Sequence, residues 1–313
     1  MEILIVILFF IIGLILIIKG GDYFVDAASW IAEVSGIPKF IIGATIVSLA
    51  TTLPEFLVSL FATFDGKTDI AVGNAVGSIT ANTGLIMAIS IIVIPAVIKR
   101  KTFAPKAIML LVALASLLVI SYGGELKIGG VIIMLVIFIA FMIENIRFAK
   151  NNTSEKKIKI KDKKEVAINI VKFIGGTAGI VLGADLLVDY GSALARIIHM
   201  PESIIGVTLI AIGTSLPEFV TTLTAISKKQ SSLSIGNIVG ANIIDATMIL
   251  PICAFANGGS LPVDSQTILF DLPTSLGVAA IAILPTLFMS KFSRWQGAFM
   301  IFVYIAYVVV LVI

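Results

Sequence analysis

Two nearly identical words, Thr51-Thr52-Leu53-Pro54-Glu55-Phe56 and Thr214-Ser215-Leu216-Pro217-Glu218-Phe219, stand 218 − 55 = 163 residues apart, each inside a strongly apolar stretch. The same offset carries Gly20 and Asp22 onto Gly183 and Asp185, Val25-Asp26 onto Val188-Asp189, Pro38 onto Pro201, and Ile42-Gly43 onto Ile205-Gly206. It continues without a gap through Gly73-Asn74 and Gly236-Asn237, Val76-Gly77 and Val239-Gly240, and Asn82 and Asp245. Chance likeness between apolar sequences would match Leu with Ile, whereas these matches fall on Pro, Gly, Asn, Asp and Glu. The chain therefore reads as two copies of one unit.

The apolar runs say what each unit is. With 58% hydrophobic and 13% charged residues in 313, and a mean hydropathy of +1.12, this is an integral membrane protein. Runs of roughly 18 to 25 residues, long enough to cross a ~30 Å hydrocarbon core, fall at 2–19, 38–63, 69–94, 105–122, 128–148, 166–190, 202–227, 231–256, 266–289 and 295–313. A membrane barrel needs short segments that alternate apolar and polar residues, and these runs are continuous. The expected fold class is an all-α integral membrane protein of ten transmembrane helices. The first run begins almost at Met1 without a basic stretch before it, and reads as a retained helix rather than a cleaved leader.

Lys and Arg in short loops stay on the cytoplasmic side. Lys99, Arg100, Lys101 and Lys106 fall between the third and fourth helices, and Arg147, Lys150, Lys156, Lys157, Lys159, Lys161, Lys163 and Lys164 between the fifth and sixth. Lys228 and Lys229 follow the seventh, and Lys291 and Arg294 the ninth, while the alternate loops hold Lys67, Lys127 and Arg196. The first set is thus cytoplasmic, and both termini are expected outside a plasma-membrane protein. Five helices per copy is an odd number, so the second copy enters the membrane inverted. The expected division is a first five-helix repeat over 1–149, a basic cytoplasmic linker over 150–165 and a second five-helix repeat over 166–313. Inverted repeats are typical of alternating-access transporters.

A carboxylate in a bilayer is costly, so a duplicated one points to a bound cation. Pro54 and Pro217 should each break or kink a helix. The carbonyls released near Ser48 to Thr51, and near Ala211 to Thr214, need partners that lipid cannot offer. Hard cations take several oxygen ligands, and the inventory here is all oxygen: Glu55, Glu218, Asp245, Asn82, Ser78 and the hydroxyls of Thr51, Thr52, Thr214 and Ser215. No Arg or Lys beside the motifs neutralises the acids. Ser, Thr and Asn also serve as interhelical hydrogen-bonding groups, and Gly73-xxx-Gly77 and Gly236-xxx-Gly240 also permit close helix contact.

Other features carry less. The single Cys253 and single His199 exclude a disulfide, a thiolate cage and a histidine metal cluster, and no Gly-rich phosphate loop or nucleophile-base pair points to an enzyme. Asp22, Asp26, Asp185 and Asp189 are expected near helix ends as caps or interfacial groups. Glu144 and Arg147 are expected to form a surface pair, and Asp271 has no acidic counterpart in the first copy. The basic segment from Lys156 to Lys164 is too short for nucleic acid and suits topology and contact with anionic lipid.

The motifs Gly43 to Glu55 with Gly73 to Asn82, and Gly206 to Glu218 with Gly236 to Asp245, resemble the two α-repeats of the sodium/calcium exchanger family within the cation/Ca²⁺ antiporter superfamily. The resemblance implies a ten-helix exchanger, functional as a monomer, with Ca²⁺ and Na⁺ as transported ions and no organic cofactor. By that analogy Glu55 and Glu218 ligate Ca²⁺ with the carbonyls of Thr51 and Thr214. Sodium uses subsets of the Ser48 and Ala211 carbonyls, the Thr51 and Thr214 side chains, Ser78, Asn82, Asp245 and both glutamates, with Ser215 beside them. The first and sixth helices slide across this core to open it to either side.

The copies differ at two places. Ala241 replaces Ser78, removing a hydroxyl that resembles a sodium ligand, and Leu49-Ala50-Thr51-Thr52 is bulkier than Ile212-Gly213-Thr214-Ser215. Protons on Glu55 or Glu218 could then serve instead of sodium, which keeps a Ca²⁺/H⁺ exchanger open beside a Ca²⁺/Na⁺ antiporter. A cation channel, needing a continuous polar path, fits the inverted repeat less well.

Overall fold

The computed structural model describes residues 3–95, 99–152, 160, 162–197 and 213–312. The first half runs α1 (Ile3–Ser35), α2 (Lys39–Ile42), a π-helical turn Gly43–Val47, α3 (Ser48–Thr51), α4 (Leu53–Phe64), α5 (Thr68–Ala81), a π-helical turn Asn82–Met87, α6 (Ala88–Val93), α7 (Arg100–Ser121) and α8 (Ile128–Asn151). The second half runs α9 (Lys163–Ile197), α10 (Leu216–Ser227), α11 (Ser231–Ile244), a π-helical turn Asp245–Ile249, α12 (Leu250–Ala256), a π-helical turn Thr267–Asp271, α13 (Leu272–Met289) and α14 (Arg294–Val312). The sequence register reappears as structure: adding 163 to the limits of α4 and α5 gives the limits of α10 and α11, and two π-helical turns begin at the related residues Asn82 and Asp245.

Among the described residues eight helices are long and apolar enough to cross a membrane, or nine if Lys39–Thr51 and α4, bent by 43°, form one span. The expected span at 202–227 is described only from Gly213 onward, and His199, Pro201, Ile205-Gly206 and Ala211 lie outside the described residues. The stretches Thr68–Val93 and Ser231–Ala256 are mostly buried, whereas α1, α8, α9 and α14 turn much of their apolar surface outward. That is the pattern of polar helices ringed by lipid-facing ones.

The first span differs from expectation. The apolar run 2–19 stops at Lys19-Gly20-Gly21-Asp22, but the helix continues to Ser35, so Asp22 and Asp26 lie within α1, and Asp185 and Asp189 within α9. They are not caps. The glycines that look like breakers are packing positions. A Cβ on Gly20 would stand 2.8 Å from the Gly176 carbonyl oxygen, one on Gly176 2.8 Å from that of Gly20, and one on Gly183 2.8 Å from that of Gly13. Because Gly13 and Gly20 become Gly176 and Gly183 at the offset of 163, α1 and α9 cross through a two-fold-like contact of small residues.

Further corrections concern charge. Lys106, expected in a loop, lies in α7 with its side chain fully buried, 3.0 Å from Glu144 and 4.4 Å from the centre of the Phe148 ring. Glu144 therefore pairs with Lys106 rather than with the expected Arg147. A buried ammonium demands a counter-charge far more than an exposed i,i+3 pair rewards one. Helix α8 reaches Asn151 and α9 starts at Lys163. Among the described residues the all-α expectation holds apart from a two-residue antiparallel ladder, Glu125–Leu126 (β1) with Leu261–Pro262 (β2).

Candidate ion-binding site

Pro54 and Pro217 sit at the second position of α4 and α10, where a missing N–H is tolerated. The residues before these helices, Thr52 (φ −83°, ψ 3°) and Ser215 (φ −88°, ψ 6°), share one non-helical conformation. Each glutamate therefore occupies the first turn of a half-helix, next to a chain break at the centre of the protein. The N-terminal backbone dipoles there favour a negative charge.

Both glutamates and Asp245 are fully buried, and among the described residues no hydrogen bond of ordinary geometry reaches their six carboxylate oxygens, although the Thr51 hydroxyl lies close to Glu218. Glu55 lies within electrostatic reach of both Glu218 and Asp245. Asn82 is buried, and neither of its side-chain polar atoms has a partner among the described residues. Burying unpaired charges costs several kcal/mol each, and like charges this close repel. Among the described residues no three Asp, Glu, His or Cys side chains converge on one metal position. A single ion here would draw at most two carboxylates and complete its shell with neutral oxygens.

The neutral oxygens divide unevenly between the two halves. Thr51 Oγ1 donates to Asn237 Oδ1 at 3.2 Å and also lies 3.4 Å from the Ser48 carbonyl, which further accepts from Thr52 Oγ1 at 2.8 Å and Thr52 N at 2.9 Å. The Ser48 carbonyl is thus fully engaged. At the positions related by the repeat, Thr214 and Asn74 line a cavity of about 410 Å³ with Ser78, Asp271, Tyr304 and Tyr307. Asn74 donates instead to the Glu55 carbonyl at 3.1 Å and Ser59 Oγ at 2.9 Å. Ser215 Oγ donates to Ser78 Oγ at 3.2 Å. Asp271, unassigned from sequence, is buried and accepts from Tyr307 at 3.1 Å in the cavity wall.

A family model for the sodium/calcium exchanger protein matches residues 5–146 and 168–313. The chain belongs to the sodium/calcium exchanger family. It is 27% identical to the sodium/calcium exchanger MaX1 of Methanosarcina acetivorans, over 97% of each chain, and 32% identical to the uncharacterised membrane protein MJ0091 of Methanocaldococcus jannaschii, over 95% of each. The sodium-calcium exchanger NCX_Mj, in crystals soaked with zero Na⁺ and Ca²⁺, superposes with a TM-score of 0.86 at 28% identity, covering 99% of this chain and 100% of that one. This is a family of membrane antiporters, not enzymes, and membership supports exchange of Na⁺ and Ca²⁺.

Several polar residues of this exchanger escaped the sequence reading. Thr221 and Thr222 are buried three and four residues beyond Glu218, on the same face of α10, with hydroxyls that have no partner among the described residues. Asn242 donates to Thr83 Oγ1 at 2.6 Å and keeps an unpartnered Oδ1. Their counterparts in the first repeat are Val58, Ser59 and Ile79. Only Thr222 has a polar counterpart, so a search for repeated polar pairs passes over the others, whereas helical spacing from Glu218 would have found the two threonines.

Proposed function

We propose that the chain is a secondary antiporter that moves cytoplasmic Ca²⁺ outward in exchange for external Na⁺, by alternating access to one central group of oxygens. The reading rests on the three buried, mutually repelling carboxylates, which among the described residues have no cationic side chain paired with them. Glu55 and Glu218 balance one Ca²⁺, aided by the Thr51 and Thr214 carbonyls. Sodium ions occupy overlapping positions drawn from both glutamates, Asp245, Asn82, Ser78, Ser215, the Thr51 and Thr214 side chains, and the Ser48 and Ala211 carbonyls. Ser48 can contribute only by releasing the Thr51 and Thr52 hydroxyls. Ions that need the same carboxylates cannot be bound together, and that competition couples their movements.

The architecture we infer is ten transmembrane helices in two inverted repeats, 1–149 and 166–313, joined by a cytoplasmic linker that touches anionic lipid. Both termini face the outside of the plasma membrane, and one copy suffices. Alternating access is supported by unequal related contacts: α1 packs along α10, whereas α9 and α4, related to them by the repeat, make at most glancing contact. Thr51 holds Asn237 while Thr214 and Asn74 border a cavity. The structure is then closed toward the cytoplasm and open outward, and motion of α1 and α9 over the core exchanges the two arrangements.

A Ca²⁺/H⁺ exchanger is the second reading, favoured by the absence of a hydroxyl at Ala241 and by carboxylates that could carry protons. Uptake of ⁴⁵Ca²⁺ into proteoliposomes loaded with Na⁺, compared with K⁺ or choline at matched pH, separates the two. A requirement for internal Na⁺ supports sodium coupling. Uptake that ignores Na⁺ and follows an imposed pH gradient moves the assignment to protons.

A further inference from the structure

Lys228 stands at the junction of α10 and α11, and its ammonium grips α1. Nζ lies 2.7 Å from Asp26 Oδ1, 3.3 Å from Asp22 Oδ1 and 2.9 Å from the Asp22 carbonyl oxygen. Lys172 lines the same recess, but it belongs to α9, which packs along α1, rather than to the core. Lys39 of α2 also pairs with α1, 2.9 Å from Glu33, but the offset of 163 carries that pair onto Arg196 and Glu202, opposite charges again, so Lys228 is the cation whose tie to α1 has an acidic counterpart in the other half.

The repeat preserves one side of this clasp and inverts the other. Asp22 and Asp26 become Asp185 and Asp189, while Lys228-Lys229 correspond to Asp65-Gly66. The backbone is conserved despite the change: Gly66 and Lys229 both have positive φ, 73° and 57°. Lys229 N bonds to the Ile226 carbonyl as Gly66 N bonds to that of Thr63. Position 65 is therefore placed in its own half as Lys228 is in the other.

We propose that Lys228 is a positioning residue that biases the exchanger toward its externally open state. This rests on the alternating-access reading above. In the exchanged arrangement α9 meets α4 as α1 now meets α10, and Asp65 faces Asp185 and Asp189. The clasp of Lys228 with two aspartates sums to −1; its image with Asp65 sums to −3. Lys67, now 3.6 Å from Asp65, offsets one charge at most, and Arg196, two turns beyond Asp189, has a partner of its own. Closing the outer end thus opposes like charges where closing the inner end joins opposite ones. The groups are partly exposed, so the bias is moderate and weakens with salt.

The test uses the full-length protein with Cys253→Ser, spin labels placed on α1 and on the α10–α11 turn, and apparent Ca²⁺ affinities measured from each side. Lys228→Gln is expected to raise the cytoplasmically open fraction by about threefold to tenfold, weakening external and tightening internal affinity reciprocally. Lys228→Arg should retain the bias. Asp65→Lys, which installs a clasp at the outer end, should shift the equilibrium the same way as Lys228→Gln, and lose its effect in combination with Asp185→Asn and Asp189→Asn. Exchange that persists with unaltered sidedness in both Lys228→Gln and Asp65→Lys would overturn the proposal. Absence of exchange in the parent protein would instead overturn the functional reading, while label distances would still report on the clasp.

Discussion

Ser215 hydrogen-bonds to Ser78 at 3.2 Å, and the image of that contact under the repeat, Thr52 with Ala241, does not exist. Without a hydroxyl at position 241, the Thr52 hydroxyl turns back to the Ser48 carbonyl at 2.8 Å. The two halves of the site are therefore chemically unequal although their backbones are related. An ion that takes hydroxyl ligands finds them facing each other in one half only.

Ser78→Ala is accordingly expected to raise the Na⁺ concentration needed for half-maximal Ca²⁺ release by about threefold to tenfold, as for the loss of one polar contact. Ala241→Ser should lower it. Sodium titrations of ⁴⁵Ca²⁺ efflux measure both, and a response of neither would remove the hydroxyls from the sodium path.

The acidic cluster predicts an effect on stability that does not depend on transport. Without cations, the carboxylates of Glu55, Glu218 and Asp245 repel one another in a buried site where the described residues give them no hydrogen bond of ordinary geometry. Glu218→Gln should therefore unfold at a higher temperature than the parent protein in choline and chelator. Its Ca²⁺-induced stabilisation, about 2.7 kcal/mol for a parent protein at a hundred times its Kd, should vanish together with ⁴⁵Ca²⁺ uptake. Thermal unfolding in detergent with and without Ca²⁺ decides it; a variant that is still stabilised by Ca²⁺ would displace Glu218 from the site.

The places where sequence reading succeeded and failed have different physics. The breaks at Thr52 and Ser215 were legible because proline removes a backbone donor whatever surrounds it. The length of α1 was not, because Gly20-Gly21 and Asp22 read locally as a helix end, while in the fold the glycines admit α9 and the aspartates find Lys228. Lys106 read as a loop charge because its partner, Glu144, lies 38 residues away on another helix. Thr221 and Asn242 stayed hidden because the repeat, the strongest filter available, is broken at their positions. Tertiary partners, rather than local preference, decided the length of α1 and the place of Lys106.

That Lys106–Glu144 pair makes a prediction of its own. Lys106 is wholly buried while Glu144 keeps a side-chain exposure of 35%, so the lysine bears most of the cost of separation. Glu144→Gln leaves a buried ammonium with only the Phe148 ring, and is expected to destabilise by about 2 kcal/mol, less than a fully buried pair because Glu144 is partly solvated. Lys106→Met combined with Glu144→Gln should recover most of that loss. Denaturation midpoints of the single and double variants test the coupling, and additive effects would show that the pair contributes nothing.

The crossing of α1 and α9 yields a prediction with a built-in control. A Cβ on Gly176 would stand 2.7 Å from Phe24 N and 2.8 Å from the Gly20 carbonyl oxygen, both backbone atoms that cannot rotate away. Gly176→Val must therefore push the two helices apart. Its neighbour Gly175 is exposed and has nothing within 4 Å of such a Cβ, so Gly175→Val changes local helix propensity without touching the crossing. Neither glycine contributes a side-chain oxygen to the site, and Ca²⁺ should still stabilise both variants against heat. If α1 and α9 move as one body, Gly176→Val should cut turnover severely while Ca²⁺ binding persists, and Gly175→Val should transport near the parent rate. Equal turnover in the two variants would mean that the tight glycine contact is dispensable for the motion.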